Sequence, residues 1–333
     1  MKSRMLMMVL VTAAVVLVSW LLNSGIVSLF VPIAMYLAMA QGWNLLGGYG
    51  GYLNLGMASF FGLGAFGAAI AAVNWNQSLP VALLVGAVVA ILGGLVMGLL
   101  SLRLRGAFFA IFTFVSVFVL EAIANTVGIT HGALGITLPT FSSLSYNTLT
   151  KIWFDAFIVL GLLATVVVWL VERSRWGSSL VAIKEDEPAA EVLGIRTMRV
   201  KLLAFLFAAL VGGLAGGLYA YQQQFIYPST IFTDTVTLQV VLMAVAGGGG
   251  SWLGPVIGTP LVMGISALMR LIVGSVVVFG NGIPAQLELI IYGLMLVAVG
   301  MFLPNGLVGL VKRWRGRSAT PAATSERLEA RGA

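Results

Sequence analysis

"VAIKEDEPAAEVLGIRTMRVK", Val181 to Lys201, is the one long stretch in which charged side chains crowd together, the carboxylates Glu187 and Glu191 among them. Elsewhere, groups able to move protons or hold ions are sparse. Cysteine is absent and His131 is the single histidine, so no disulfide framework, thiolate site or histidine-clustered metal centre is expected. His131 lies in "GITHGALGITLP", where a solvated loop residue is the simplest reading. "GLGAFG", Gly62 to Gly67, spells a dinucleotide-binding pattern, but it sits in an apolar run with no strand before it and no suitably placed acid after it. Small residues that let helices approach in lipid explain it better. "GGGG" at 247–250 is not followed by Gly-Lys-Ser/Thr, so the chain is not expected to bind or hydrolyse ATP.

Polar groups within apolar runs are the other candidates, because burying them in a bilayer is costly. Gln41, Asn44 and Asn54 flank a glycine-rich break, Thr113 and Ser116 lie close together on one run, and Glu121 and Asn125 are four apart near its end. Each is a candidate for lining a substrate path, against the plainer reading that Asn, Thr and Ser bridge helices. Glu121 is the carboxylate that a self-sufficient secondary transporter or channel would use for ion coupling. Arg270, inside a run, has Glu288 as a conceivable partner, or it snorkels.

The elements that must position these groups follow from composition. Of 333 residues, 60% are hydrophobic and 9% charged, with a mean hydropathy of +1.05. A soluble domain would carry nearer a quarter charged residues, so an all-α, polytopic transmembrane bundle is expected. Apolar runs near 5–22, 26–46, 55–73, 80–100, 107–125, 152–171, 202–221, 236–250, 256–279 and 287–303 give about ten spans. Gly47, Gly48, Gly50 and Gly51, and then Gly247, Gly248, Gly249, Gly250 and Gly254, mark breaks that reduce the count to eight or nine if they are re-entrant. These breaks resemble the interrupted helices of transporters, although no internal repeat follows from them. Lys2 and Arg4 before Met5 to Leu22 imitate a signal peptide, but "LLNSG" offers no small-x-small cleavage site, and a retained helix is expected. With a cytoplasmic N terminus, ten spans place all 18 Lys and Arg inside except Lys151 and Arg270. Both termini are then cytoplasmic. The net charge of +7 reflects orientation, and no nucleic-acid partner is needed. The transmembrane body covers 1–311 with a cytoplasmic loop at 172–201, and 312–333 reads as a disordered, lipid-facing cytoplasmic tail.

The loop has the grammar of two short helices. Ser178 is expected to cap a turn through Leu180, Val181 and Ile183, Pro188 to open a second helix after Asp186 and Glu187, and Gly194 to close it. Acids at the helix starts and Arg196, Arg199 and Lys201 beyond the end suit the helix dipole. Leu180, Ile183, Val192 and Leu193 remain as apolar contacts. A solvated connector and a contact surface both satisfy this pattern.

"RWGSSLVAIKEDEPAAEVLGIRTMRVKLLAFLFAALVGGLAGGLYA" at 175–220 resembles the signature region of branched-chain amino acid ABC transporter permeases of the LivM type. "NLLGGYGGYLNLGMASFFGLGAF" at 44–66, "RLRGAFFAIFTF" at 103–114, "VLMAVAGGGGSWLGPVIG" at 241–258 and "GLMLVAVGMFLPNGLVGL" at 293–310 agree in the same order. The resemblance implies that the charged loop meets an ATPase, with Ala189, Ala190 and Gly194 matching the Ala-Ala-x-x-x-Gly core of importer coupling loops. Pro188 stands where the common form has Glu, which leaves open whether Glu187 or Glu191 faces the ATPase. It further implies two cytoplasmic ABC ATPases that use the ATP, a second permease of the LivH type, and a periplasmic or extracellular substrate-binding protein. The location implied is a bacterial or archaeal cytoplasmic membrane, and the cargo branched-chain amino acids. The same machine with urea, short amides or aromatic acids as cargo is the alternative.

Overall fold

A computed structural model describes residues 2–141 and 144–276, together with residues 293, 294, 297, 306 and 307. Helices α1 (Lys2–Leu21) and α2 (Ser24–Asn44) are followed by a π-helical turn at Leu45–Tyr49. Then come α3 (Met57–Val73), α4 (Leu79–Ser101), α5 (Ala107–Thr126), α6 (Tyr146–Glu172), α7 (Arg175–Glu185), α8 (Glu187–Val192), α9 (Thr197–Gln223), α10 (Pro228–Ile231), α11 (Asp234–Gly247) and α12 (Leu253–Val276). Side-chain caps fix several starts: Asn23 accepts from the Gly25 N–H (3.0 Å) before α2, and Ser145 from Thr148 N–H (3.3 Å) before α6. Two short strands, β1 (Ile136–Thr137) and β2 (Phe225–Ile226), pair antiparallel with Ile136 opposite Ile226.

Among the described residues, Ser24–Tyr49, Leu79–Ser101, Ala107–Thr126, Tyr146–Glu172, Thr197–Gln223 and Pro228–Gly247 are long and apolar enough to cross a bilayer. Met7–Leu21, Met57–Val73 and Leu253–Leu268 are shorter apolar helices. The chain is a polytopic helical bundle, but ten full-length spans are not reached among these residues. The expected span at 287–303 lies almost wholly outside them, as do the tail at 312–333, Glu288 and the side chain of Arg270.

α9 is the central helix and packs on α2, α3, α4 and α6. Lipid tails are as apolar as the side chains, so close fit rather than burial must hold such helices together. The small residues of α3 and α9 supply that fit: Gly64 lies against Gly213, and Gly216 against the carbonyl of Phe61, with no room for a Cβ at either place. Phe60 stacks edge-on to Phe205 at 5.1 Å in the same seam. By contrast α4 and α5 turn Leu84, Leu92, Val96, Phe108, Ile111 and Val115 outward, an aliphatic face suited to lipid. α1 runs antiparallel along α6, pinned where Trp20 Nε1 donates to Asp155 (2.8 Å) and Lys151 Nζ donates to the Trp20 carbonyl (2.9 Å). The β1–β2 pair lies at this same end, whereas α7, α8, the 102–105 turn and the start of α9 gather at the other, basic end.

Candidate functional site

The charged segment folds as two helices that double back on the bundle. α7 starts one turn earlier than expected: Ser174, not Ser178, is the cap, accepting from Gly177 N–H at 3.3 Å. Ser178 sits inside the helix and donates to the Ser174 carbonyl (3.4 Å), because Ser174 follows directly on the end of α6 and nothing in Arg175–Gly177 resists helix. Asp186 caps α8 by accepting from Ala189 N–H (3.0 Å), which makes Glu187 the first helical residue and Pro188 the second. α8 ends in a Schellman motif, with Gly194 N–H donating to Glu191 O (2.9 Å) and Ile195 N–H to Ala190 O (3.0 Å). Gly194 has φ +84°, the left-handed conformation that glycine takes without penalty.

The four apolar residues of the segment divide into two pairs. Leu180 and Ile183 are buried against the bundle, with Ala190 beside them, while Val192 and Leu193 stand 88% and 80% exposed at the tip. The two carboxylates also part. Glu191 is exposed and accepts from Thr197 Oγ1 (2.7 Å). Glu187 turns inward, its side chain 9% exposed.

Around Glu187 the structure assembles an ionic cluster. Lys201, 3% exposed near the start of α9, donates to Glu187 Oε1 (2.5 Å), to the Tyr52 hydroxyl (2.9 Å) and to the Leu102 carbonyl (3.2 Å). All three of its N–H groups are thereby satisfied. Tyr52 in turn donates to Glu187 Oε2 (2.5 Å), and Arg105 stands 3.7 Å from the same oxygen. Burial opposes the charge on Glu187, but the bonds from Lys201 and Tyr52 and the cations Lys201 and Arg105 outweigh it and hold the carboxyl below its ordinary range. Burial, reinforced by Glu187, pushes the Tyr52 phenol up, so it remains a donor. A cavity of about 500 Å³, lined by Tyr52, Arg105, Ile183, Lys184 and Glu187 among others, opens beside the cluster.

A second link runs from α7 to the first glycine break, where Lys184 Nζ donates to the Gly48 carbonyl (3.1 Å). The two glycine breaks, distant in sequence, meet here. A Cβ on Gly48 would collide with the Asn44 side chain and the Gly250 backbone. Asn44 accepts from Gly250 N–H (2.9 Å) and donates to Ser251 O (2.9 Å), and Gln41 donates to Trp252 O (2.8 Å). Tyr49 donates to Glu172 (2.8 Å), whose carboxylate also accepts from Trp252 N–H at 3.4 Å. Gly247 abuts Gly254 and Gly258 across the second break, and Gly306 backs onto Gly248. Gln41 and Asn44 are fully buried and clamp this joint.

The other polar candidates form a separate group at the start of α3. Helix N-termini leave N–H groups without partners, and here Asn54 accepts from Gly56 N–H (2.9 Å), Thr113 from Leu55 N–H (3.0 Å) and Thr237 from Ala58 N–H (3.0 Å). Ser116 pairs with Ser59 at 3.1 Å. Thr113, Ser116 and Thr237 thereby bridge α5 and α11 to the start of α3, whereas the Asn54 bond is local to the turn. Glu121 and Asn125 lie apart from both groups, on the C-terminal half of α5, half-exposed and exposed. Sequence reasoning missed Tyr52, Arg105, Lys184, Tyr49, Glu172 and Thr237 as site residues, and it read Lys201 only as one of the cations that suit the helix dipole beyond the end of α8. Among the described residues no group of acidic and imidazole side chains is arranged for a metal ion.

The profile of the family described as branched-chain amino acid transport system, permease component, matches residues 25–300. The chain is 28% identical over 289 residues to the high-affinity branched-chain amino acid transport system permease protein LivM of Escherichia coli K12, covering 78% of this chain and 68% of that protein. It is 29% identical over 297 residues to LivM of Salmonella typhimurium LT2, covering 81% and 69% respectively. The autoinducer 2 import system permease protein LsrC of Escherichia coli O9:H4 is 27% identical over 146 residues, 42% of this chain and 40% of its own length. No solved structure matches.

Proposed function

The chain belongs to the permease family of branched-chain amino acid transport systems, and from that premise we propose that it is a membrane-spanning subunit of an ABC importer for leucine, isoleucine, valine or close analogues. It works with two cytoplasmic ATPases, a second permease of the LivH type and an external substrate-binding protein, in a bacterial or archaeal cytoplasmic membrane. ATP is consumed by the ATPases, and this chain binds no cofactor. Closure of the ATPases pushes α7–α8 and rocks the bundle between outward- and inward-open states, so that cargo released by the binding protein passes through.

One observation carries the coupling role. α8 is capped at both ends and braced from behind, yet it presents Val192 and Leu193 at 88% and 80% exposure, flanked by the exposed Glu191 and Arg196. A rigid apolar tip with a charged rim is the form of an anchor that fills a partner's pocket. The Ala189, Ala190 and Gly194 positions give that tip its shape. The test is co-purification of the detergent-solubilised chain with the second permease and candidate ATPases, comparing wild type with Leu193→Asp. We expect ATPase recovery to fall about tenfold or more, since a carboxylate would enter an apolar pocket without a partner. Recovery unchanged by Leu193→Asp removes the tip from the interface, and failure of wild type to retain any ATPase removes the ABC reading.

Likeness to LsrC over part of the chain supports a second reading of the cargo alone, in which the same machine carries another small polar solute. Transport of labelled leucine by the reconstituted assembly separates the two.

A further inference from the structure

We propose that Glu187, Lys201 and Tyr52 are positioning residues of a strut that carries movement of the coupling helices to the joint between the two glycine breaks. This rests on the coupling reading above and identifies what lies behind the ATPase-facing tip.

Glu187 is poorly placed to be an ATPase contact itself. Both of its oxygens are engaged, by Lys201 and by Tyr52, and its side chain is 9% exposed. Stability is an insufficient reason for the cluster as well, because replacing a buried ion pair by apolar residues of like volume is often neutral or stabilising. What the cluster has that an apolar contact lacks is direction. It binds α8 to Tyr52, just past the first break, to the Leu102 carbonyl at the end of α4, and to the start of α9, each at hydrogen-bond distance. Such bonds weaken steeply once stretched or tilted, so a shift of α8 either draws the break along or ruptures the set.

The load then has a continuous path. Lys184 ties α7 to the Gly48 carbonyl independently of Glu187. The Gly48 backbone presses on Gly250. Asn44 and Gln41 fasten Gly250, Ser251 and Trp252, the residues leading into α12, while Tyr49 and Glu172 fasten the same Trp252 from α6. At Gly48 and Gly250 the backbones are in contact with the Asn44 side chain packed against both, so displacement passes with little slack.

The test uses the full assembly, in which this chain has no native cysteine and any cysteine of the partner subunits is replaced by serine. A spin label on Leu53→Cys, 45% exposed just beyond Tyr52, reports movement of the first break, and one on Leu193→Cys in a separate sample reports the tip. ATP with vanadate is the probe, so no cargo need be known. In wild type both labels should respond to trapping. In the neutral double variant Glu187→Gln/Lys201→Met, which leaves no buried charge orphaned, ATPases should still co-purify and the tip still respond, while the response at position 53 falls about fivefold or more. Tyr52→Phe, which removes only a hydroxyl, should lower it in the same direction by a smaller factor and guards against misfolding of the double variant. A wild-type response at position 53 in both variants overturns the strut. Loss of the ATPases from the well-folded double variant also overturns it, by making Glu187 part of the contact surface. If wild type itself retains no ATPase, the coupling reading fails first and the strut falls with it.

Discussion

At the scale of single residues, Lys201 decides how the basic end is built. A buried ammonium is tolerated only where every N–H finds an acceptor and a counter-charge stands near, and Lys201 has Glu187, Tyr52 and the Leu102 carbonyl. Lys201→Met alone should cost about 3 kcal/mol, because it leaves the buried Glu187 with only the exposed Arg105 as a cation. Thermal unfolding in detergent measures this, and pH gives the sign. In wild type the Glu187 carboxyl lies below its ordinary value of 4.5, so its contribution is complete above that pH and disappears as the pH falls through the lowered folded value. In Lys201→Met only the Tyr52 bond and Arg105 still oppose desolvation of the carboxyl, its folded value rises, and the loss of melting temperature on acidification should shrink. An equal fall in both proteins would contradict this account. Lys201 was readable in the sequence only once α9 has its phase: it shares a helical face with buried Thr197, Ala204, Phe205 and Ala208, whereas charge counting alone treats it as one more residue at the membrane edge. Val192 and Leu193 could not be told from Leu180 and Ile183 by type, since orientation, set by the caps at Ser174 and Asp186, separates them.

At the scale of elements, the glycine breaks matter through what they touch. Both were visible as glycine runs, and the structure does interrupt the chain there, with α2 passing into a π-helical turn and α11 stopping at Gly247. Their meeting was not visible, because backbone-to-backbone contact leaves no periodic signature in side-chain type. Gly48→Ala should force Asn44 and Gly250 apart and cost about 1–3 kcal/mol, as overpacking does. Gly106→Ala is the control: its φ of +56° and ψ of −128° make any side chain costly, but nothing lies within 4 Å, so the penalty is confined to about 1–3 kcal/mol of backbone strain. The two losses should therefore be similar in a melting experiment and differ in ATP-driven response at the joint, which only Gly48→Ala disturbs. Equal responses would show that close approach at Gly48 is incidental. The α3 start teaches a related lesson. Thr113 and Asn54 attract notice as polar groups in apolar runs, yet with Thr237 they satisfy the N–H groups of Leu55, Gly56 and Ala58 where the chain enters α3, a role that becomes evident only when α5 and α11 are seen to reach it.

At the scale of the whole molecule, composition announced a helical membrane protein, and charge placement predicted which end faces the cytoplasm. The helices put Arg103, Arg105, Lys184, Arg196 and Arg199 at one end and Lys151 at the other, an asymmetry that the positive-inside rule reads as orientation. The count of spans was less legible, because Met57–Val73 and Leu253–Leu268 are apolar yet shorter than a full crossing, and their depth depends on the breaks that precede them rather than on their own length. Orientation can be tested directly because the chain contains no cysteine. Leu134, 84% exposed beside the β1–β2 pair, and Leu193, 80% exposed at the tip of α8, mark opposite ends of the bundle. In intact cells a membrane-impermeant maleimide should label Leu134→Cys at once and leave Leu193→Cys unmodified until the membrane is permeabilised. The reverse pattern would place α8 outside, beyond the reach of any cytoplasmic ATPase, and would end the coupling reading whatever the family. Labelling of both in intact cells would mean a leaky or misinserted bundle, which proteolysis of an engineered cytoplasmic tag would reveal independently. The expected pattern sets Val192 and Leu193 in the compartment that contains ATP, with the ionic cluster behind them and Lys184 of α7 bonded to the glycine joint, which is the order a transmitted push requires.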